Sequence, residues 1–203
     1  MIDYSLMLVT DHCSDVDAFC TIVEKALQAG VTVLQLREKT ATTRDFYQLA
    51  LRIKPIARQY NVPLLINDRL DIALAVDADG VHVGQEDLPV AVVRRLIGPE
   101  KILGATAATV EAAQTAEREG ADYIGSGAMF PTLTKPGKQV LPLNVLAQIK
   151  QAVQVPVVAI GGITADNLLT LKITGVDGLA VVSAIMDSAD PAAATQEILS
   201  RWC

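Results

Sequence analysis

VPLLINDRLDIALAVDADGVHVGQEDL, residues 62–88, is the stretch on which the fold turns. It holds two short apolar runs, VPLLI (62–66) and DGVHV (79–83), and each is followed by a lone aspartate, Asp68 and Asp87. Short aliphatic runs bounded by turn formers are the pattern of strands buried on both faces of a parallel sheet. If the two strands are neighbours in such a sheet, both carboxylates reach the same rim. Two hard anionic oxygens at one rim suit Mg²⁺ rather than zinc. An aspartate after a strand also caps helices often, so neither residue decides the matter alone.

The same unit repeats in both directions along the chain. Further apolar runs lie at 5–9, 31–36, 101–105, 121–125, 155–160 and 177–182. Amphipathic stretches fall between them, at 15–30, 42–60, 88–98, 109–120, 142–153 and 191–202. Gly30, Gly98, Gly120 and Gly175 stand where helices end, and Asp15, Thr109 and Asp166 are candidate N-caps. Counting gives eight strand–helix units, which reads as a closed α/β barrel of the (β/α)8 TIM type. A doubly wound open sheet is the competitor, but it favours fewer strands and a glycine-rich first turn. The turn after the first strand is TDHCSD (10–15), without glycine. No linker, low-complexity segment or charge block divides the chain, so 1–203 reads as one barrel domain.

Composition narrows the function. Half of the 203 residues are hydrophobic (51%), aromatics are 4%, and the formal net charge is −6. No basic face is on offer for nucleic acid or an acidic membrane, so any anion must be held by a local site. The three cysteines, Cys13, Cys20 and Cys203, give no disulfide framework. The opening MIDYSLMLVTD does not read as a signal peptide, and no apolar run approaches bilayer length. The expectation is a cytoplasmic enzyme acting on small molecules; self-association is left open.

A barrel places its chemistry at the C-terminal ends of its strands. The second strand ends in QLREK, where alternation puts Gln35, Arg37 and Lys39 on one side and Leu36 and Glu38 on the other. The first set offers an amide and two cations to a phosphate. The third strand adds Asn67 and Asp68, the fourth Gln85, Glu86 and Asp87. His82 lies between Val81 and Val83 and reads as a satisfied core histidine. After the sixth strand, GSGAMFPTLTKPGK (125–138) is longer than a connection needs and is the candidate lid, carrying Thr132, Thr134 and Lys135. After the seventh and eighth, GGI (161–163) and VSAI (182–185) offer glycines and helix starts, which suit a phosphate. Two anion sites emerge at one mouth: a metal-assisted one near strands two to four, and a backbone one near strands seven and eight.

QLREK, the Asn67–Asp68 pair, DGVHVGQEDL, the PTLTK loop, PVVAIGGI and DGLAVVSAI, in this order from about residue 5 to 186, resemble the thiamin phosphate synthase family. The resemblance implies a single-domain (β/α)8 barrel that joins hydroxymethylpyrimidine diphosphate to a thiazole phosphate with Mg²⁺. It implies that Gln35, Leu36, Arg37, Glu38, Lys39 and Asn67 line the pyrimidine diphosphate site, with Thr106 nearby. Asp68 and Asp87 would hold Mg²⁺. Thr132, Leu133, Thr134, Gly162, Val182 and Ser183 would surround the thiazole phosphate, and Lys135 would contact the diphosphate. Arg37, Lys39 and Lys135 would be the catalytic cations, stabilising charge on the leaving group.

Two departures stand out. The family often reads G-[VI]-S-x-H after the fifth strand, where this chain has GATAA (104–108), with Thr106 for serine and Ala108 for histidine. PGKQVLPLN after Lys135 lacks the usual glycine-rich approach to the next helix. Two other readings share the barrel: a thiazole tautomerase-like isomerase, and a phosphate-ligand binding barrel without catalysis. The joint presence of Asp68, Asp87 and Lys135 argues against the isomerase.

Overall fold

A computed structural model describes residues 2–132 and 139–203. Eight parallel strands close on themselves in sequence order. They are β1 Leu6–Val9, β2 Val33–Leu36, β3 Leu64–Asn67, β4 Gly80–Val83, β5 Ile102–Thr106, β6 Tyr123–Ser126, β7 Val157–Ile160 and β8 Gly178–Val181. Between them run α1 Val16–Gln28, α2 Thr43–Gln59, α3 Leu70–Ala75, α4 Val90–Ile97, α5 Val110–Arg118 and α6 Leu143–Ala152. A 3-10 helix, Leu168–Thr174, follows β7, and α7 Ser183–Met186 and α8 Pro191–Trp202 follow β8. The (β/α)8 expectation and its strand count hold. α3 and α7 are short elements that periodicity does not reveal, since six and four residues give too few turns to show a repeat.

Alternation along the strands sorts two cores. Leu6, Leu8, Leu34, Leu36, Leu64 and Ile66 face outward, packing with the helices in the main core. Met7, Val9, Val33, Leu65, Tyr123, Val158 and Ala180 fill the barrel interior with Tyr4. Tyr123 is completely buried there, and small neighbours make the room: a Cβ on Gly104 would lie 2.3 Å from its ring.

The N-terminal rim is tied by aspartates that each precede a strand. Asp79 accepts from the Leu64 N–H at 2.8 Å, Asp122 from Leu103 at 2.7 Å and Asp177 from Val157 at 2.7 Å. Each satisfies an N–H at the start of the preceding strand, the first residue of β3 and β7 and the second of β5, a donor that would otherwise lie unpaired. Arg94 pairs with Asp122 at 2.6 Å and Lys150 with Asp177 at 2.7 Å.

Caps follow the sequence with one correction. Asp15 and Thr109 accept the N–H groups of their helices, and Gly30, Gly98, Gly120 and Gly175 all have positive φ. Asp166 is not a cap. Asn167 holds that position, accepting from the Thr164 N–H at 2.9 Å and donating to the Gly162 carbonyl at 2.8 Å. An amide can do both at once, which a carboxylate cannot; Asp166 instead faces Arg201 at the surface, at 3.7 Å.

Candidate active site

The C-terminal mouth opens into a cavity of about 390 Å³, whose walls include Gln35, Arg37, Asn67, His82, Thr106 and Tyr123. Gln35 and Arg37 come from β2 and its extension, Asn67 from β3, His82 from β4, Thr106 from β5. All have inward parity, and Asn67 stands beside His82 in the β3–β4 register.

Arg37 is almost fully buried. Its backbone N–H donates to Thr10 Oγ1, whose hydroxyl donates to the Arg37 carbonyl, both at 2.9 Å. Its Nη1 donates to Asp11 at 2.6 Å. Its Nε is buried with no hydrogen-bond partner among the described residues. A buried guanidinium donor left unpaired is costly and points to an acceptor that arrives with a ligand.

The acidic pair follows β3 and β4 at the same rim, outside the lining of this cavity. The backbone N–H of Asp68 donates to the His82 carbonyl at 2.8 Å, and Asp68 has φ +61°, in the left-handed region. Asp87 accepts from the Gly84 N–H at 2.7 Å. The two carboxyl groups share a hydrogen bond, and Lys39 Nζ donates to Asp68. Asp87 has its carboxyl pKa raised, first by burial and then by the Asp68 charge, against the Gly84 N–H and Lys39. The like charges that the sequence put at one rim do meet there. Among the described residues no three acidic, histidine or cysteine side chains gather as a metal cage. Two carboxylates completed by substrate oxygens is the donor set that suits Mg²⁺.

Leu36 and Glu38 do not reach the cavity, because they carry the opposite parity. Leu36 packs in the outer core. Glu38 turns away and ties two loops: it accepts from the backbone N–H groups of Cys13 (3.0 Å), Thr40 (2.7 Å) and Ala41 (3.2 Å) and faces His12 Nδ1 at 3.1 Å. Burial works to raise its pKa, but these hydrogen bonds win and hold it down at about 2.

Opposite the acidic pair, a second cavity of about 350 Å³ is bordered by Thr132, Gly162, Val182, Ser183, Asp11 and Asp187, among others. Asp11 is engaged by Arg37. The first N–H groups of α7 have no intrahelical partner, so Ser183 begins a donor-rich edge. Gly162 has φ +65°, and a Cβ there would lie 2.6 Å from the Pro131 carbonyl oxygen. The glycine is thus required by the loop after β6. Leu133, Thr134 and Lys135, with the rest of the candidate lid after Thr132, lie outside the described residues.

A family model described as thiamine monophosphate synthase matches residues 6–185. The chain belongs to this family. It is 53% identical over 201 residues to the thiamine-phosphate synthase of Methanobrevibacter smithii, covering 99% of this chain and 96% of the relative. It is 54% identical over 199 residues to that of Ruminiclostridium cellulolyticum, covering 98% and 95%. Among solved structures, the thiamine phosphate pyrophosphorylase from Pyrococcus furiosus superposes with a TM-score of 0.87 at 40% identity, covering 98% and 96%. Membership of the thiamine monophosphate synthase family makes this chain a thiamine-biosynthetic transferase. No described helix is long and apolar enough to cross a membrane.

Residue-by-residue reading missed three features of this family member's mouth. Asp11 stands two positions after β1 and gains its role only by meeting Arg37. His82 is satisfied, as the sequence suggests, yet it also lines the cavity. Tyr123 shows its importance only through Gly104, the small residue on the adjoining strand.

Proposed function

We propose that this chain condenses 4-amino-2-methyl-5-(diphosphooxymethyl)pyrimidine with a thiazole phosphate, giving thiamine phosphate and diphosphate. The observation that carries the reading is the buried Nε of Arg37, which has no hydrogen-bond partner among the described residues and lines the mouth whose rim bears the Asp68–Asp87 pair: the guanidinium suits an anion, and two adjoining carboxyls, with Lys39 against Asp68, suit a bound cation. The carbon–oxygen bond of the pyrimidinylmethyl diphosphate breaks, and its electron pair leaves with diphosphate. The thiazole nitrogen supplies the pair for the new carbon–nitrogen bond. Neither step needs a general base or a covalent enzyme intermediate.

Arg37 and Lys39 orient the diphosphate, and Gln35, Asn67 and Thr106 line the pocket for the pyrimidine. Lys135, from the family resemblance, adds a further cation to the leaving group. Asp68 and Asp87 would hold Mg²⁺, which when bound neutralises charge on the departing diphosphate. Thr132, Leu133, Thr134, Gly162, Val182 and Ser183 take the thiazole phosphate. The protein's contribution is mainly positioning and preorganised charge. A cytoplasmic setting goes with this reading, as do three cysteines that are all free.

Incubation of the chain with both substrates, with and without Mg²⁺, is the test. Thiamine phosphate formed only with both substrates and Mg²⁺ supports the reading. Binding without turnover would favour a ligand-binding barrel, and rearrangement of a thiazole phosphate alone would favour an isomerase.

A further inference from the structure

A chain of polar groups runs through the barrel interior beneath the cavity. Gln35 Nε2 donates to Met7 Sδ at 3.3 Å and to Tyr123 Oη at 3.2 Å, which occupies both amide hydrogens. Tyr123 Oη lies 2.8 Å from His82 Nδ1, and His82 Nε2 lies 2.9 Å from Thr106 Oγ1. Thr106 lines the cavity. Each link has two possible senses, and the geometry selects one.

Tyr123 has one proton to give. Its oxygen already accepts from Gln35, and its two candidate acceptors are His82 Nδ1 at 2.8 Å and the Met7 thioether at 3.9 Å. An imidazole nitrogen at the shorter distance is far the better acceptor than a thioether at the longer. Burial pushes the Tyr123 pKa well up, so the phenol keeps this proton. Once Tyr123 donates to Nδ1, a neutral His82 carries its proton on Nε2 and donates to Thr106. The Thr106 oxygen then accepts from inside the barrel, and its own proton is left to point into the cavity.

We infer that Gln35, Tyr123 and His82 form a polarity relay that makes Thr106 a hydrogen-bond donor to an acceptor atom of the bound ligand. Tyr123 and His82 are positioning residues: they set the direction of a bond that Thr106 makes. With the reaction proposed above, and resting on it only for the ligand's identity, the acceptor is a ring nitrogen of the aminopyrimidine. The reverse polarity would make Thr106 an acceptor and favour a ring that presents N–H there. The relay therefore selects between ring edges by setting which way the Thr106 hydroxyl points.

The chain has only two histidines, His12 and His82, so the protonation of His82 can be read directly. Ligand-free protein labelled with ¹⁵N-histidine, studied by long-range ¹H–¹⁵N correlation at mildly alkaline pH, reports the tautomer. A His12→Gln variant assigns the signals. The expected result is His82 neutral with its proton on Nε2. A proton on Nδ1, or on both nitrogens, would overturn the inference. Calorimetry with the pyrimidine diphosphate adds the second arm. Thr106→Val and Tyr123→Phe should each weaken binding by about two- to tenfold, one neutral hydrogen bond. Thr106→Ser should bind within about twofold of the unaltered chain. The Tyr123→Phe/Thr106→Val double variant should lose no more than the larger single loss, because both act through one bond. Additive losses would overturn the relay. Failure of the unaltered chain to bind would count against the proposed reaction, and the tautomer spectrum would still decide the relay.

Discussion

The two rims of this barrel use the same residue for opposite purposes. At the N-terminal rim, Asp79, Asp122 and Asp177 each accept an N–H at the start of a neighbouring strand, and two of them also meet a cation. At the C-terminal rim, Asp68 and Asp87 are set against each other, with the Asp87 carboxyl raised by burial and by its neighbour's charge. The first arrangement satisfies the fold. The second places like charges together, and the Lys39 ammonium on Asp68 does not outweigh burial and repulsion at Asp87. An aspartate's position relative to the strand it adjoins, before or after, therefore separates structure from chemistry.

The largest effect should come from the C-terminal rim. Asp68→Asn or Asp87→Asn should lower synthase turnover by about 10²–10³-fold, the scale for losing one preorganised electrostatic contact. Asparagine is the cleaner choice at 68, since it tolerates the positive φ that alanine resists. The melting temperature should hold or rise, because the ionised form of Asp87 is disfavoured in the folded metal-free protein. A variant that melts early and keeps its turnover would reverse the assignment of the two rims.

The N-terminal rim should show the opposite. Asp122→Ala leaves the Leu103 N–H unpaired and removes one of the Arg94 partners, its bonds to the Gly98, Lys101 and Gly120 carbonyls remaining, at a cost of about 1–3 kcal/mol. That corresponds to a fall in melting temperature of roughly 2–12 °C for a chain of this size. Turnover per folded molecule should stay near that of the unaltered chain, measured well below the transition.

Glu38 sharpens the comparison, because it sits at the chemical rim yet does structural work. Its pKa is depressed, from 4.5 to about 2, so its contribution is fully present above pH 4.5 and is lost as pH falls toward 2. Glu38→Gln should flatten that part of the stability-versus-pH curve, seen by thermal melts across the range. An unchanged acid limb would show that the loop ties do not depend on the carboxylate.

How much of this was legible in the sequence follows the same division. The strand-end aspartates could be read because position along one strand fixes which rim they reach. Parity placed Gln35, Arg37 and Lys39 on one side, and the same parity sends Leu36 and Glu38 away from the cavity, against the family-derived assignment. Asp166 misled because the N-cap position falls one residue later, at Asn167, whose side-chain amide ties back to Thr164 and the Gly162 carbonyl instead of capping the helix. The Tyr123–His82–Thr106 relay was not legible, since it links side chains on three adjoining strands, β4, β5 and β6, and depends on the space over Gly104. The glycine at 162 was read as room for phosphate, while the Pro131 and Phe130 carbonyls close to it also demand its absent side chain.

A smaller effect tests the backbone character of the second cavity. Ser183→Ala removes a hydroxyl but keeps the N–H groups of α7. It should weaken thiazole phosphate binding by about 1.5–3 kcal/mol if the hydroxyl bonds the charged phosphate, and by much less if backbone donors hold it. Calorimetry on this variant distinguishes the two, and the account expects the smaller loss.

Titration of the pyrimidine diphosphate and the thiazole phosphate separately, each with and without Mg²⁺, tests the account most directly. The diphosphate should bind at least about tenfold more tightly with Mg²⁺, and Asp68→Asn should abolish that gain, while the thiazole phosphate responds to neither. Equal Mg²⁺ dependence for both ligands, or a gain that survives in Asp68→Asn, would contradict the division of labour at this mouth.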